Sequence, residues 1–117
     1  DLNLNLGSSD NNIGNVYLAI GEFKSALETY EFALAAKKTM FPHRHETIGT
    51  TLANIALVCE CDRNWQKALQ FYTAAGSIFS ELFPSAHVFN VNIKESLERV
   101  SQLAAFQSTD LSSETIV

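Results

Sequence analysis

The sequence predicts an all-α fold, a stack of antiparallel helix hairpins. Three observations predict it. The chain repeats itself at an interval of 42 residues, each copy carries two blocks of apolar residues at helical spacing, and a proline follows each copy. Aligned without gaps, ten positions between residues 12 and 51 are identical to those 42 further on. The pairs are Asn12/Asn54, Ile13/Ile55, Val16/Val58, Ala26/Ala68, Leu27/Leu69, Tyr30/Tyr72, Ala33/Ala75, Phe41/Phe83, Pro42/Pro84 and His45/His87. Gly14/Ala56, Phe23/Trp65 and Met40/Leu82 preserve character without identity.

Residues 1–7 carry Asn and Gly where a helix would have to begin, so they read as a flexible segment, with Ser8 or Ser9 placed to cap the first helix. The first repeat spans residues 8–41. Ile13, Val16, Tyr17 and Ile20 mark its first helix, "IGEF" breaks the chain, and Ala26, Leu27, Tyr30, Ala33 and Leu34 mark the second. Pro42 disfavours a helical Phe41 and stops that helix. The second repeat, with its connector, spans 42–83. Glu46 favours the start of its first helix, which runs through Leu52, Ile55, Ala56 and Cys59. "DRNW" breaks the chain, and Ala68, Leu69, Tyr72 and Ala75 carry the second helix to Phe83–Pro84.

A third copy begins and stops. Leu97 and Val100 stand where Ile55 and Val58 stood, but Gln107 and Asp110 replace the equivalents of Trp65 and Ala68. Residues 84–106 therefore read as a connector and a lone first helix, from residue 88, that caps the last apolar face. The Ser/Thr-rich residues 107–117 read as a flexible tail.

Composition narrows the function. Apolar residues make up 46% of the 117, enough for a core, and the net charge of −5 gives no electrostatic case for nucleic acid or an anionic membrane. No apolar run approaches a transmembrane span, and the opening residues do not read as a signal peptide. A chain opening on Asp1 reads as a fragment or a processed product. Cys59 and Cys61 lie two apart on a helix, point to different faces and read as reduced cytoplasmic thiols.

No glycine-rich phosphate loop, nucleophile elbow or metalloprotease motif is present, and Glu60 with Asp62 reads as a helix end facing water, so an enzyme is not expected. His43, His45 and His87 invite a metal reading, as does Cys59 with Cys61. His45 and His87 fall in separate connectors, so the expectation is no metal and no cofactor, with the repeated histidine capping or packing its connector.

The small residues Gly14 and Ala56, the closing Gly21, and the series Phe23, Ala26, Tyr30, Ala33 with Trp65, Ala68, Tyr72, Ala75 resemble the tetratricopeptide repeat. The 42-residue period, the Asn-containing "NNIGNVY" and "LANIALV" and the Pro/His connector are similar to the long repeats of kinesin light chains. The resemblance covers residues 8–106 and implies a right-handed superhelical solenoid. Two positions depart from it. Arg63 replaces the closing glycine, which implies an altered turn. Gly76 replaces Leu34, which implies either a close helix approach or a softer second copy.

In such solenoids first helices line a concave groove, and the resemblance assigns it Asn11, Asn12, Asn15, Leu18 and Ala19. It adds Thr50, Ala53, Asn54, Leu57, Glu60 and Cys61, then Asn92, Glu95, Ser96 and Arg99. An asparagine amide offers donor and acceptor to an extended backbone, so the expected function is a scaffold that holds a short partner segment through Asn12, Asn15 and Asn54, with Leu18 and Leu57 as apolar contacts. Asn15 and Asn54 match the asparagines of the carboxylate clamp in chaperone-binding domains. Asn11, Asn92 and Ser96 replace its cations, which argues against that clamp, and Arg99 is the one groove cation for an acidic ligand. The alternative is a building block that contacts partners, or itself, through its end faces, because copy one has no helix pair before it here and its outward face is expected to be partly apolar. The final "ETIV" would also suit a PDZ domain, through Thr115 and Val117.

Overall fold

The computed structural model describes residues 9–42 and 44–116, with side chains described for 12–42 and 44–107. The expected N-terminal segment 1–7, Ser8, His43 and Val117 lie outside the described residues. Five helices follow in order: α1 (Ser9–Ala19), α2 (Phe23–Met40), α3 (Glu46–Cys61), α4 (Trp65–Leu82) and α5 (Val88–Ile116). Among the described residues there is no strand. Each helix packs on the next, while α1 barely meets α3. The first helices α1, α3 and α5 thus form one layer and the second helices α2 and α4 another.

The centre of the stack is α3. Every residue from Ile48 to Ala56 is buried, together with Val58 and Cys59, because α2 covers one side and α4 the other. From the second helices, Ala26, Tyr30, Ala33 and Ala68, Tyr72, Ala75 enter the core at the positions that the 42-residue period pairs. Alanine at these sites lets helix axes approach, and the tyrosine rings fill the space between them.

The turns inside the two hairpins are the same. Gly21 closes α1 with φ +82°, and Glu22 N–H donates to Tyr17 O at 2.9 Å. Arg63 closes α3 with φ +62°, and Asn64 N–H donates to Cys59 O at 2.8 Å. The arginine therefore does not alter the turn. It accepts a left-handed conformation, which costs an L-residue about 1 kcal/mol, because two helix-end carbonyls must still be satisfied.

The connectors also match. Phe41 and Phe83 are extended, as residues before proline should be. The imidazoles of His45 and His87 stack on them at 4.5 and 4.2 Å. His45 Nδ1 accepts from Thr47 N–H and His87 Nδ1 from Phe89 N–H, both at 3.1 Å, so each histidine caps the following first helix. Arg44 braces the first connector against α4 through Glu81 at 2.6 Å. In the second, the Asn90 amide donates to the carbonyls of Phe79, Phe83 and Pro84 at the end of α4.

One more expectation needs correcting, and one pair of alternatives is decided. Residues 107–116 are not an irregular tail, since α5 continues unbroken to Ile116. No Gly or Pro occurs between 88 and 116, and Ala105, which stands where Gly21 and Arg63 turn the chain, stays helical. Gly76 marks a close approach, not a soft helix: a β-carbon there would come within 3.0 Å of Ile93 Cγ2 on α5.

Replacing His45 or His87 by alanine should remove a cap and a ring stack, lowering stability by about 1–2 kcal/mol in urea unfolding. Arg63→Gly should raise it by roughly 0.5–1 kcal/mol, since glycine takes the left-handed conformation freely. Pro42→Ala should lower stability and disturb the packing between hairpins; unchanged stability would mean that the proline does not set the connector.

Candidate functional site

Between α3 and α5 lies a cleft of about 170 Å³. Ala53 and Leu57 form one wall, Asn92, Glu95, Ser96 and Arg99 the other, and Tyr72 and Ile93 the floor. The spacings explain the lining. Ala53, Leu57 and Glu60 recur at i, i+4 and i+7 on α3, as do Asn92, Ser96 and Arg99 on α5, so each set shares a helix face.

A four-residue polar network closes one end of this cleft. Arg99 Nε donates to Glu60 Oε2 at 2.6 Å and Arg99 Nη2 to Glu60 Oε1 at 2.9 Å, a two-point grip on the carboxylate. The Tyr72 hydroxyl donates to Glu60 Oε1 at 2.8 Å, and Arg99 Nη2 also reaches Ser96 Oγ at 3.3 Å. Glu60 is 14% exposed and Arg99 50%. Burial pushes the Glu60 carboxyl up, but the hydrogen bonds from Arg99 and Tyr72 outweigh it and hold the group below its ordinary value. The same bond pushes the Arg99 guanidinium up, outweighing burial, which pushes it down. Burial, then the charge of Glu60, pushes the Tyr72 phenol up.

Of the expected groove residues, Ala53, Leu57, Asn92, Glu95, Ser96 and Arg99 line this cleft. Arg99 is not an open cation for an acidic ligand, because Glu60 holds it; Glu60, in turn, is not a water-facing helix end. Asn15 accepts a hydrogen bond from the Tyr30 hydroxyl, whose own burial raises its pKa to about 12. Leu18 packs against the core. Asn12 is exposed on α1, and the side chain of Asn11 lies outside the described residues. Asn54 is 1% exposed, and neither its amide nitrogen nor its oxygen has a partner. Asn54 is not among the residues that line the cleft.

Tyr72, read as packing, and Ile93 are the lining residues that sequence reasoning passed over. For Tyr72 a signal was present: Tyr30, its equivalent, also reaches a polar side chain on a first helix. Among the described residues no group of three His, Cys, Asp or Glu could hold a metal, and the imidazoles of His45 and His87 are each engaged in a cap. Thr115 lies in the last turns of α5, where helical backbone would have to unwind before it could pair with a sheet edge.

The tetratricopeptide repeat profile matches residues 5–81, both hairpins almost entire. The chain belongs to the tetratricopeptide repeat family. Tetratricopeptide repeats are generally protein–protein interaction modules, and the family is generally a non-enzymatic scaffold. No curated protein matches the chain significantly. The cleft lies between α3, the first helix of the second matched hairpin, and α5, which follows the matched region. No helix among the described residues is long and apolar enough to cross a membrane.

The network makes a pH prediction. A carboxyl whose folded pKa is depressed adds stability above its unfolded value and loses it as pH falls through the folded value. Stability should therefore decline on acidification below the ordinary carboxylate range, and Glu60→Gln should flatten that limb of a midpoint-against-pH curve. A variant with the same acid limb as wild type would show that Glu60 does not titrate as described.

Proposed function

We propose that the chain is a protein–protein interaction scaffold that captures a short partner segment in the concave groove of its first helices, seated in the cleft between α3 and α5. The observation that carries this is the cleft lining: apolar Ala53, Leu57 and Ile93 beside the amide of Asn92 and the hydroxyl of Ser96. Apolar walls with a few convergent polar groups suit a side chain and its flanking backbone. The Arg99–Glu60 pair holds the polar end in place before a ligand arrives, which reduces the ordering cost of binding.

Charge favours a segment with a basic side chain. Arg99 is neutralised by Glu60, and Glu95 remains the charged group at the exposed rim. A Lys or Arg stem would lie along Leu57 and Ala53 with its head at Glu95. The 42-residue period and Pro/His connectors support the long, kinesin-light-chain-like subclass. The two free thiols support a reducing, cytoplasmic setting.

Two matched disordered peptides, each with one Leu between two Lys or two Glu, would test this by NMR titration. The Lys peptide should shift Leu57 and Ile93 methyls and bind several-fold tighter than the Glu peptide. Leu57→Asp should abolish the shifts without loss of helicity, and Glu95→Lys should reverse the preference. Equal affinities would remove the charge preference, and the absence of any shift would remove the cleft reading. Asn54→Leu should raise stability by about 1–3 kcal/mol, because it removes an unsatisfied buried amide. If the variant loses peptide binding, Asn54 belongs to the groove after all.

A further inference from the structure

Thr51, Ile55 and Val58 recur at i, i+4 and i+7 and share one face of α3. Lys37 Nζ donates to Thr51 Oγ1 at 2.9 Å, which sets that face against α2. Ile55 and Val58 are fully enclosed there, at 0% exposure. One repeat earlier, Ile13 and Val16 are the same residues at the same spacing on α1, yet they are 52% and 62% exposed. Ile20, one turn on, is 65% exposed and extends the stripe. The face that α3 uses to dock on α2 is thus present a second time and uncovered.

The far end of the stack is different. On α3 the side turned to its own second helix carries Leu52, Ala56 and Cys59, all buried. Their equivalents on α5 are Lys94, Glu98 and Ser101, all exposed. At these positions the far end carries side chains suited to water, while α1 keeps those of an internal interface.

We propose that the outward face of α1 is a docking surface for a further helix hairpin of the same repeat class, seated on Ile13, Val16 and Ile20 as α2 is seated on α3. The occupant is defined by what already covers Ile55 and Val58: a helix with the small and apolar face of α2. A second folded copy cannot supply it. Its α2 is already sandwiched by α1 and α3, and its α4 by α3 and α5. This inference does not depend on the cleft reading.

The test joins a copy of residues 4–45 ahead of residue 4 of the chain, which keeps the 42-residue register. Thermal unfolding of this extended chain and of the chain itself is compared, each with and without Ile13→Asp plus Val16→Asp in the original α1. In the chain itself the pair should leave the midpoint nearly unchanged, since both residues face water. In the extended chain unfolding should be a single transition, and the pair should lower the midpoint by at least about 5 °C. Two separate transitions, or an equally mild effect in both chains, would overturn the proposal. Sedimentation of the chain itself supplies the other arm. A dimer that the aspartate pair converts to monomer would make a second copy the occupant and overturn the hairpin assignment, whereas a monomer in both forms supports it.

Discussion

The stack depends on a tyrosine ring wedged between helices. Tyr30 from α2 is fully buried against Gly14 of α1 and sends its hydroxyl to Asn15. Tyr72 from α4 does the same one repeat later, with its hydroxyl on Glu60. A ring of this size holds two helices apart by a defined distance, and a directional bond at its tip fixes their rotation. The flanking alanines are small because the rings take up the space. The connectors then repeat the placement: extended Phe, Pro and a capping His deliver each new first helix at the same angle, so one hairpin's geometry propagates to the next.

Identical side chains do not have identical environments along this array. Asn12 is in water and Asn54 is sealed, although both stand at the same repeat position. What differs is whether a hairpin lies on the outer side. The second repeat, with neighbours on both sides, contains most of the core, and the first repeat contributes apolar surface that its own hairpin cannot cover.

The architecture was legible in the sequence because a repeat reuses the same contacts and so must reuse the same residues. Period, helix pairs and connectors could all be read from pairs such as Tyr30/Tyr72 and His45/His87. The turn at Arg63 was not, since its conformation is dictated by helix-end hydrogen bonds and only favoured by glycine. Nor was the length of α5, because polarity governs burial and not whether a backbone continues as helix. At the site, periodicity assigned a face to each residue but no depth. That is why Asn54 was expected in the groove and is buried instead. The Glu60–Arg99 pair joins residues 39 apart in sequence, a relation that only the packed hairpins create.

The Glu60–Arg99 bond also has a mechanical meaning. The two helices that it joins are held to one another mainly through α4 behind them. The pair acts as a tie across the open side of a channel whose back is a stiff, ring-packed wall. Half of the arginine is in water, so dissolved ions weaken the tie while leaving the wall untouched. Rising ionic strength should therefore loosen the contact between α3 and α5 before it touches the apolar packing behind them.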